Sequence, residues 1–186
     1  MLRCILLFIS VLLFQACHQQ VESWVERSDI PPIYPDYMNV TIPYNIAPLN
    51  FMYRGNISAM RVCVYNQRDS LVVKGKYKVS FPIKKWKDFM EQSKGDTLSV
   101  LLYIQEEGFW YRYPAFSWFV SPDKLDSYLS YRLIEPGYEV WNHIQLCERN
   151  LENFEERIIA DNNLVDGNCM NCHIYGNHQG ELSCFH

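Results

Sequence analysis

Near the end of the chain, Cys169-Met170-Asn171-Cys172-His173 sets two thiols three positions apart, with an imidazole immediately after. That spacing suits covalent haem c attachment. Cys169 and Cys172 can reach the two vinyl groups on one edge of a porphyrin and form thioethers. His173 is then carried under the iron as the proximal ligand. Covalent attachment retains the group in a small protein with little core to grip it.

The second axial position has several candidates. Met170 lies inside the attachment loop and cannot swing to the far face of the ring. His178 follows His173 by five residues, which is short for passing round the ring edge. His186 follows by thirteen and leaves room for a loop, so His186 is the expected distal ligand and His178 the second choice. Bis-histidine ligation lowers the potential relative to histidine–methionine ligation and points to electron transfer. His143 reads as an ordinary structural or surface histidine.

Other chemistries compete for the same residues. Zinc could take Cys169, Cys172, Cys184 and His186, although Cys-x-His is tighter than the usual second half of such a site. A redox dithiol would want Cys-x-x-Cys beside a βαβ pattern, and none is visible. A structural disulfide is the remaining alternative. No Gly-x-Ser-x-Gly elbow, phosphate loop or justified pair of acid and base carboxylates appears. An electron carrier or a binding module is therefore expected ahead of an enzyme.

Which chemistry the thiols do depends on their compartment, and the N-terminus speaks to it. Arg3 precedes an apolar run from Cys4 to Phe14. A spanning helix needs about 20 such residues, so this run reads as a signal peptide over residues 1–16, cut between Ala16 and Cys17. Phe14-Gln15-Ala16-Cys17 resembles a loosened bacterial lipobox, with Cys17 lipidated and anchored in the membrane through its acyl chains. His18 and Gln19 carry no acidic retention signal, which favours the outer membrane. Export also permits disulfides. With Cys4 removed and Cys17 lipidated, Cys63, Cys147, Cys169, Cys172 and Cys184 remain. A Cys63–Cys147 bridge is one pairing the count allows.

The formal net charge of −4 argues against a nucleic-acid surface. Thirteen tyrosines and an aromatic content of 15% suit a folded, β-leaning domain.

The elements that must position the site follow from patterning. Residues 17–50 read as a tether and then an extended arm, because Pro31, Pro32, Pro35, Pro43 and Pro48 alternate with apolar residues too numerous for a free linker. Met60–Tyr65 reads as a strand and Asn66–Asp69 as a turn. Val72–Phe81 alternates Val73, Gly75, Tyr77, Val79 and Phe81 against a lysine-rich face, predicting one half-buried strand. Ile83, Trp86, Phe89 and Met90 share a helical face, with Gly95 as the stop. Asp96–Gln105 and Phe109–Val120 read as two strands joined at Glu107-Gly108. Ser121-Pro122-Asp123 predicts a second helix from about Lys124, broken at Glu135-Pro136-Gly137. Trp110, Tyr111, Tyr113, Phe116, Trp118 and Phe119 read as a core strand rather than a carbohydrate platform.

Several stretches together resemble a known family. Residues 33–51 (IYPDYMNVTIPYNIAPLNF), YRLIEPGYEVW, RNLENFEERII and LVDGNCMNCH, closing with Phe185-His186, resemble the N-terminal part of bacterial envelope lipoproteins that carry TolB-like β-propellers. The resemblance runs from about Ile33 to His186. It implies an arm and β domain followed by a haem-type Cys-x-x-Cys-His and then propeller blades, which would begin where this chain stops. It also matches His186 to a family histidine in a Met-Phe-His-like stretch, where Cys184 departs at the first position.

The sequence thus predicts an α+β, β-rich protein with a small antiparallel sheet or sandwich and two or so helices. Its expected parts are a signal peptide (1–16), a lipid-anchored tether and arm (17–50), a β-rich domain (51–160) and an irregular haem-attachment tail (161–186). The expected function is single-electron transfer with an unidentified redox or envelope protein partner. The alternative is a non-catalytic envelope lipoprotein that binds a partner and has a structural Cys-x-x-Cys.

Overall fold

The fold is built round one strand in which every second side chain leaves water. In a computed structural model, which describes residues 23–134 and 144–164 and the backbones of 173–175 and 183–185, Leu98, Val100, Leu102 and Ile104 are all fully buried. Burial at a period of two is what a strand with one core face produces.

In chain order the elements are β1 (Val25–Glu26), β2 (Ile33–Tyr34), β3 (Val40–Pro43), β4 (Phe51–Tyr53), β5 (Ala59–Tyr65), β6 (Ser70–Gly75), β7 (Lys78–Val79), α1 (Ile83–Gln92), β8 (Thr97–Glu106), β9 (Phe109–Arg112), β10 (Phe116–Ser121), β11 (Tyr128–Ile134), β12 (Ile144–Asn150), β13 (Glu156–Asp161), β14 (His173–Tyr175) and β15 (Ser183–Phe185). This is the β-rich α+β class expected. Among the described residues there is one helix rather than two.

β8 is the spine of a seven-stranded sheet. Along one edge it pairs antiparallel with β5, which pairs with β6. Along the other it pairs with β9 at one end and β10 at the other. The β8–β9 turn has Glu107 at φ 49° and Gly108 at φ 87°. Positive φ at both central residues is what a two-residue hairpin of right-handed twist requires.

β9 and β10 are one strand interrupted by one residue. Tyr103 pairs with Arg112, and Tyr113 N–H donates to the Leu102 carbonyl at 3.0 Å, yet Val100 pairs with Phe116. One extra residue therefore lies between Tyr113 and Phe116. Pro114, which has no N–H to give a ladder, occupies this bulge. The bulge resets side-chain parity, so that Tyr113, Phe116, Trp118 and Val120 all face the core.

α1 presents Trp86, Phe89 and Met90 to that core, as its spacing predicts, whereas Ile83, expected on the same face, is 42% exposed. It ends at Gln92, and Gly95 at φ 78° redirects the chain into β8. Trp86 and Trp118 meet edge to face at 5.9 Å, and Phe81 packs on Trp86 at 5.1 Å. β2, β4 and β7 form a small sheet that contributes Ile33, Phe51, Tyr53 and Val79 to the same cluster.

Residues 23–50 belong to these sheets. β1 adds parallel to β9, and β3 adds parallel to β10. Both core tryptophans donate to carbonyls of this segment, Trp86 Nε1 to Ile46 at 2.9 Å and Trp118 Nε1 to Tyr37 at 2.6 Å. A buried indole N–H needs a partner, and these prolines leave carbonyls free to supply one.

Three expectations are corrected. The stretch Val72–Phe81 is not one strand. It bends at Gly75, where an added Cβ would lie 2.0 Å from the Lys78 carbonyl oxygen, so β6 joins the large sheet and β7 the small one. Tyr77, expected inside, is 56% exposed. The helix expected from Lys124 is instead β11, paired with β12 over seven residues from Tyr128↔Asn150 to Ile134↔Ile144. The Ser121 hydroxyl accepts from Asp123 N–H at 3.2 Å and closes a local turn rather than capping a helix. Within the tail expected to be irregular, β14 and β15 pair antiparallel.

β11, β12 and β13 form a separate three-stranded sheet. It is tied to the main body by Ala47 N–H, which donates to the Leu151 carbonyl at 2.7 Å, and by the Asn45 side chain.

Candidate functional site

Of the residues singled out for chemistry, Cys17, His143, Cys169, Met170, Cys172, His178 and His186 lie outside the described residues. His173 opens β14, and its register partner on β15 is Phe185, while Ile174 pairs with Cys184. The ladder thus brings the chain just before His186 alongside His173. His178 falls in the connection between the two strands.

Cys63 and Cys147 are both free thiols, so the bridge the cysteine count allowed is not formed. Cys63 is half-buried on β5 and Cys147 buried on β12. Burial pushes both thiols above their usual range, which disfavours the thiolate needed for nucleophilic or redox chemistry. Among the described residues, no group of three or more His, Cys, Asp or Glu side chains could hold a metal.

Three polar constellations stand out, each assembled from distant parts of the chain. In the first, Tyr53 and Tyr113 hydroxyls lie 2.8 Å apart within the core, and Arg27 Nη1 donates to Tyr113 Oη at 3.1 Å. Arg27 also pairs with Glu106 and lies 4.7 Å over the Tyr111 ring. Burial, then the hydrogen bond with Tyr113, pushes the Tyr53 phenol well above its usual range. The Tyr53 phenol here serves as a neutral hydrogen-bonding group.

In the second, Arg112 pairs with Glu26 and lies 5.0 Å over the Trp24 ring, whose own edge meets Tyr103 at 5.5 Å. These groups occupy the face of the large sheet opposite the core. There half-buried Leu101, Tyr103 and Trp110 leave an aromatic surface in partial contact with water. The aromatic run read as core is therefore split. Tyr113, Phe116 and Trp118 are buried, whereas Trp110 is half-buried and Phe119 is 40% exposed.

In the third, Asn45 Nδ2 donates to the Leu125 carbonyl at 2.8 Å and to Glu152 Oε1 at 3.1 Å, and Asn45 Oδ1 accepts from Leu125 N–H. The Ser127 hydroxyl donates to Glu152 at 2.8 Å, and Lys87 donates at 3.3 Å. These bonds, Asn45 and Ser127 foremost, hold the Glu152 carboxyl below its usual range, so it stays ionised. A cavity of about 220 Å³ opens beside it, lined by Tyr44, Asn45, Lys87, Glu91, Lys124 and Glu152. An ionised, fully hydrogen-bonded carboxylate is a poor proton donor. What this group does is join α1 and the β3–β4 segment to the three-stranded sheet.

Sequence reasoning missed all three constellations. Arg27 and Tyr113 are 86 residues apart, and Asn45 and Glu152 are 107 apart, so no local spacing signals either pair. Among the described residues, no helix is long and apolar enough to cross a membrane.

No family model, curated protein or solved structure matches this chain.

Proposed function

We propose that this chain is an envelope-anchored lipoprotein that carries haem c at Cys169, Cys172 and His173 and passes single electrons. The observation that carries the reading is Cys-x-x-Cys-His in a chain whose first sixteen residues read as an export signal. The donor set fits the group: two thiols for the thioethers and an imidazole for the iron. When bound, the haem supplies a one-electron couple. The likeness in wording to propeller-bearing envelope lipoproteins supports the same reading.

The β14–β15 register bears on the distal ligand. Two axial histidines hold their backbones on opposite sides of the porphyrin. Register partners in an antiparallel ladder lie only about 5 Å apart, and one further residue adds about 3.8 Å. His173 and His186 can both be axial only if the His173↔Phe185 end of the ladder opens.

The test is a pyridine haemochrome spectrum of the full chain, exported in a host with c-type maturation, beside a Cys169→Ala/Cys172→Ala control. Covalent haem in the parent alone is expected. Haem in neither sinks the reading, and zinc analysis then decides whether Cys169, Cys172, Cys184 and His186 form a metal site. His186→Ala and His178→Ala, read by the low-spin bands, assign the sixth ligand.

A second reading is favoured by the aromatic face around Trp24, Tyr103 and Trp110. It is a non-catalytic lipoprotein that binds an envelope partner there and has a structural Cys-x-x-Cys. Absence of haem with retained folding would select it.

A further inference from the structure

We infer that β11 is a homodimerisation edge, on which two copies of this chain join their three-stranded sheets into one. β11 pairs with β12 along one edge only. Among the described residues no strand covers the other. It runs for seven residues and exposes Tyr128 (58%), Leu129 (50%) and Leu133 (47%). A long apolar edge strand with an open row of backbone groups is a template for another strand, and soluble proteins ordinarily guard such an edge with charge, proline or a bulge. β11 has no proline, its register to β12 is unbroken, and Arg132 is its one charged residue.

The sequence of the strand, Tyr-Leu-Ser-Tyr-Arg-Leu-Ile, argues for a second copy as the occupant. A two-fold interface pairs a strand with itself antiparallel. Centred on Tyr131, that pairing sets Leu129 against Leu133 of the partner subunit and Tyr128 against Ile134 of the partner subunit. Tyr131 meets Tyr131 of the partner subunit on the axis, and Ser130 meets Arg132 of the partner subunit. Apolar residues meet apolar ones, and no like charges oppose. Cross-strand aromatic and aliphatic pairs of this kind stabilise a sheet, whereas directly opposed like charges destabilise it.

The other edge of the same sheet is built differently. Symmetric pairing of β13 would set Glu156 against Asp161 of the partner subunit, and β13 carries an irregularity in its register against β12. The two edges therefore differ in the features that permit or block self-pairing.

The experiment is sedimentation equilibrium of the full chain in detergent with reductant, so that disulfide-linked species do not contribute. The parent is expected to be a dimer in the micromolar range. Leu129→Glu/Leu133→Glu sets carboxylates directly opposite one another across the axis and is expected to weaken the dimer at least ten-fold. Leu129→Glu/Leu133→Lys sets a carboxylate against an ammonium instead and is expected to stay within about three-fold of the parent. Both pairs of substitutions lie at exposed positions, and both keep the carboxylate introduced at position 129 beside Arg149, the register partner of Leu129 on β12. Circular dichroism confirms that each variant is folded. A monomeric parent, equal dissociation of the two variants, or an undisturbed dimer in both would overturn the proposal.

Discussion

The hydroxyls of Tyr53 and Tyr113 lie 2.8 Å apart inside the core, one carried by the small sheet and the other by the last ladder position before the Pro114 bulge. Tyr113 is 1% exposed and also accepts from Arg27, so it is the centre of the chain Arg27–Tyr113–Tyr53. Tyr113→Phe strands the Tyr53 hydroxyl in the core and takes the acceptor from Arg27. A loss of about 1–3 kcal/mol follows. Tyr53→Phe leaves Tyr113 its bond from Arg27 and is expected to cost less. Urea unfolding of the two variants side by side measures the difference, and an equal or reversed order would contradict the geometry.

The same phenol makes folding sensitive to alkali. The Tyr53 pKa is raised by burial, so the folded state keeps its proton after the unfolded chain has lost it. Above about pH 10 the unfolded state binds fewer protons, and stability falls by up to about 1.4 kcal/mol per pH unit for this one group. The slope is expected to be steeper in the parent than in Tyr53→Phe, where the raised Cys63 and Cys147 thiols still contribute. Urea midpoints between pH 9 and 11 would show it.

Glu152 gives the opposite dependence. Its carboxyl is held below its ordinary value of about 4.5 by Asn45 and Ser127, with Lys87 adding to the effect. A depressed carboxyl stabilises the fold above its unfolded value, and that contribution is lost as pH falls through the lower folded value. Glu152→Gln is therefore expected to be less stable than the parent at pH 7 and to converge with it in acid. Asn45→Ala removes three bonds at once and is expected to loosen the three-stranded sheet first. Hydrogen exchange along β12 would register that loosening before global unfolding.

Inserting one alanine after Ala115 tests the bulge. Deleting Pro114 would only straighten the ladder, with Phe116 still opposite Val100, but a second extra residue turns Phe116, Trp118 and Val120 to the outer face of the sheet, since a slip of one position reverses every side chain. Emptying one large aromatic site costs about 3–5 kcal/mol, and two here exceed much of the 5–15 kcal/mol a domain has. The insertion is expected to yield no folded protein. Pro114→Ala keeps the count and is expected to fold. Tryptophan fluorescence distinguishes the two, because Trp118 and Trp86 are fully buried in the native core.

How far the sequence reaches differs from element to element. α1 was legible because Trp86, Phe89 and Met90 recur at helical spacing and Gly95 follows them. β5 and β8 were legible because alternate residues are apolar and both flanks carry turn residues. The segment Tyr128–Ile134 was misread because a Ser-Pro-Asp start outweighed its β-favouring composition, and seven rungs to β12 decided the matter. The break at Gly75 and the bulge at Pro114 were unreadable as geometry, since each depends on which neighbour the strand finds.

By itself, then, the sequence determined local periodicity, the class of the fold, and the order of Cys169, Cys172 and His173, which is chemistry written in consecutive residues. Tertiary structure alone decided that Trp86 and Trp118 are anchored on the carbonyls of Ile46 and Tyr37. It alone joined Arg27 to Tyr113 and Asn45 to Glu152, and it left Cys63 and Cys147 as separate thiols. The physical reason is range. Periodicity and turn chemistry act over a few residues and can be read along the chain. A buried donor instead takes whatever acceptor the packed sheets bring within hydrogen-bonding distance, and that acceptor can be a hundred residues away.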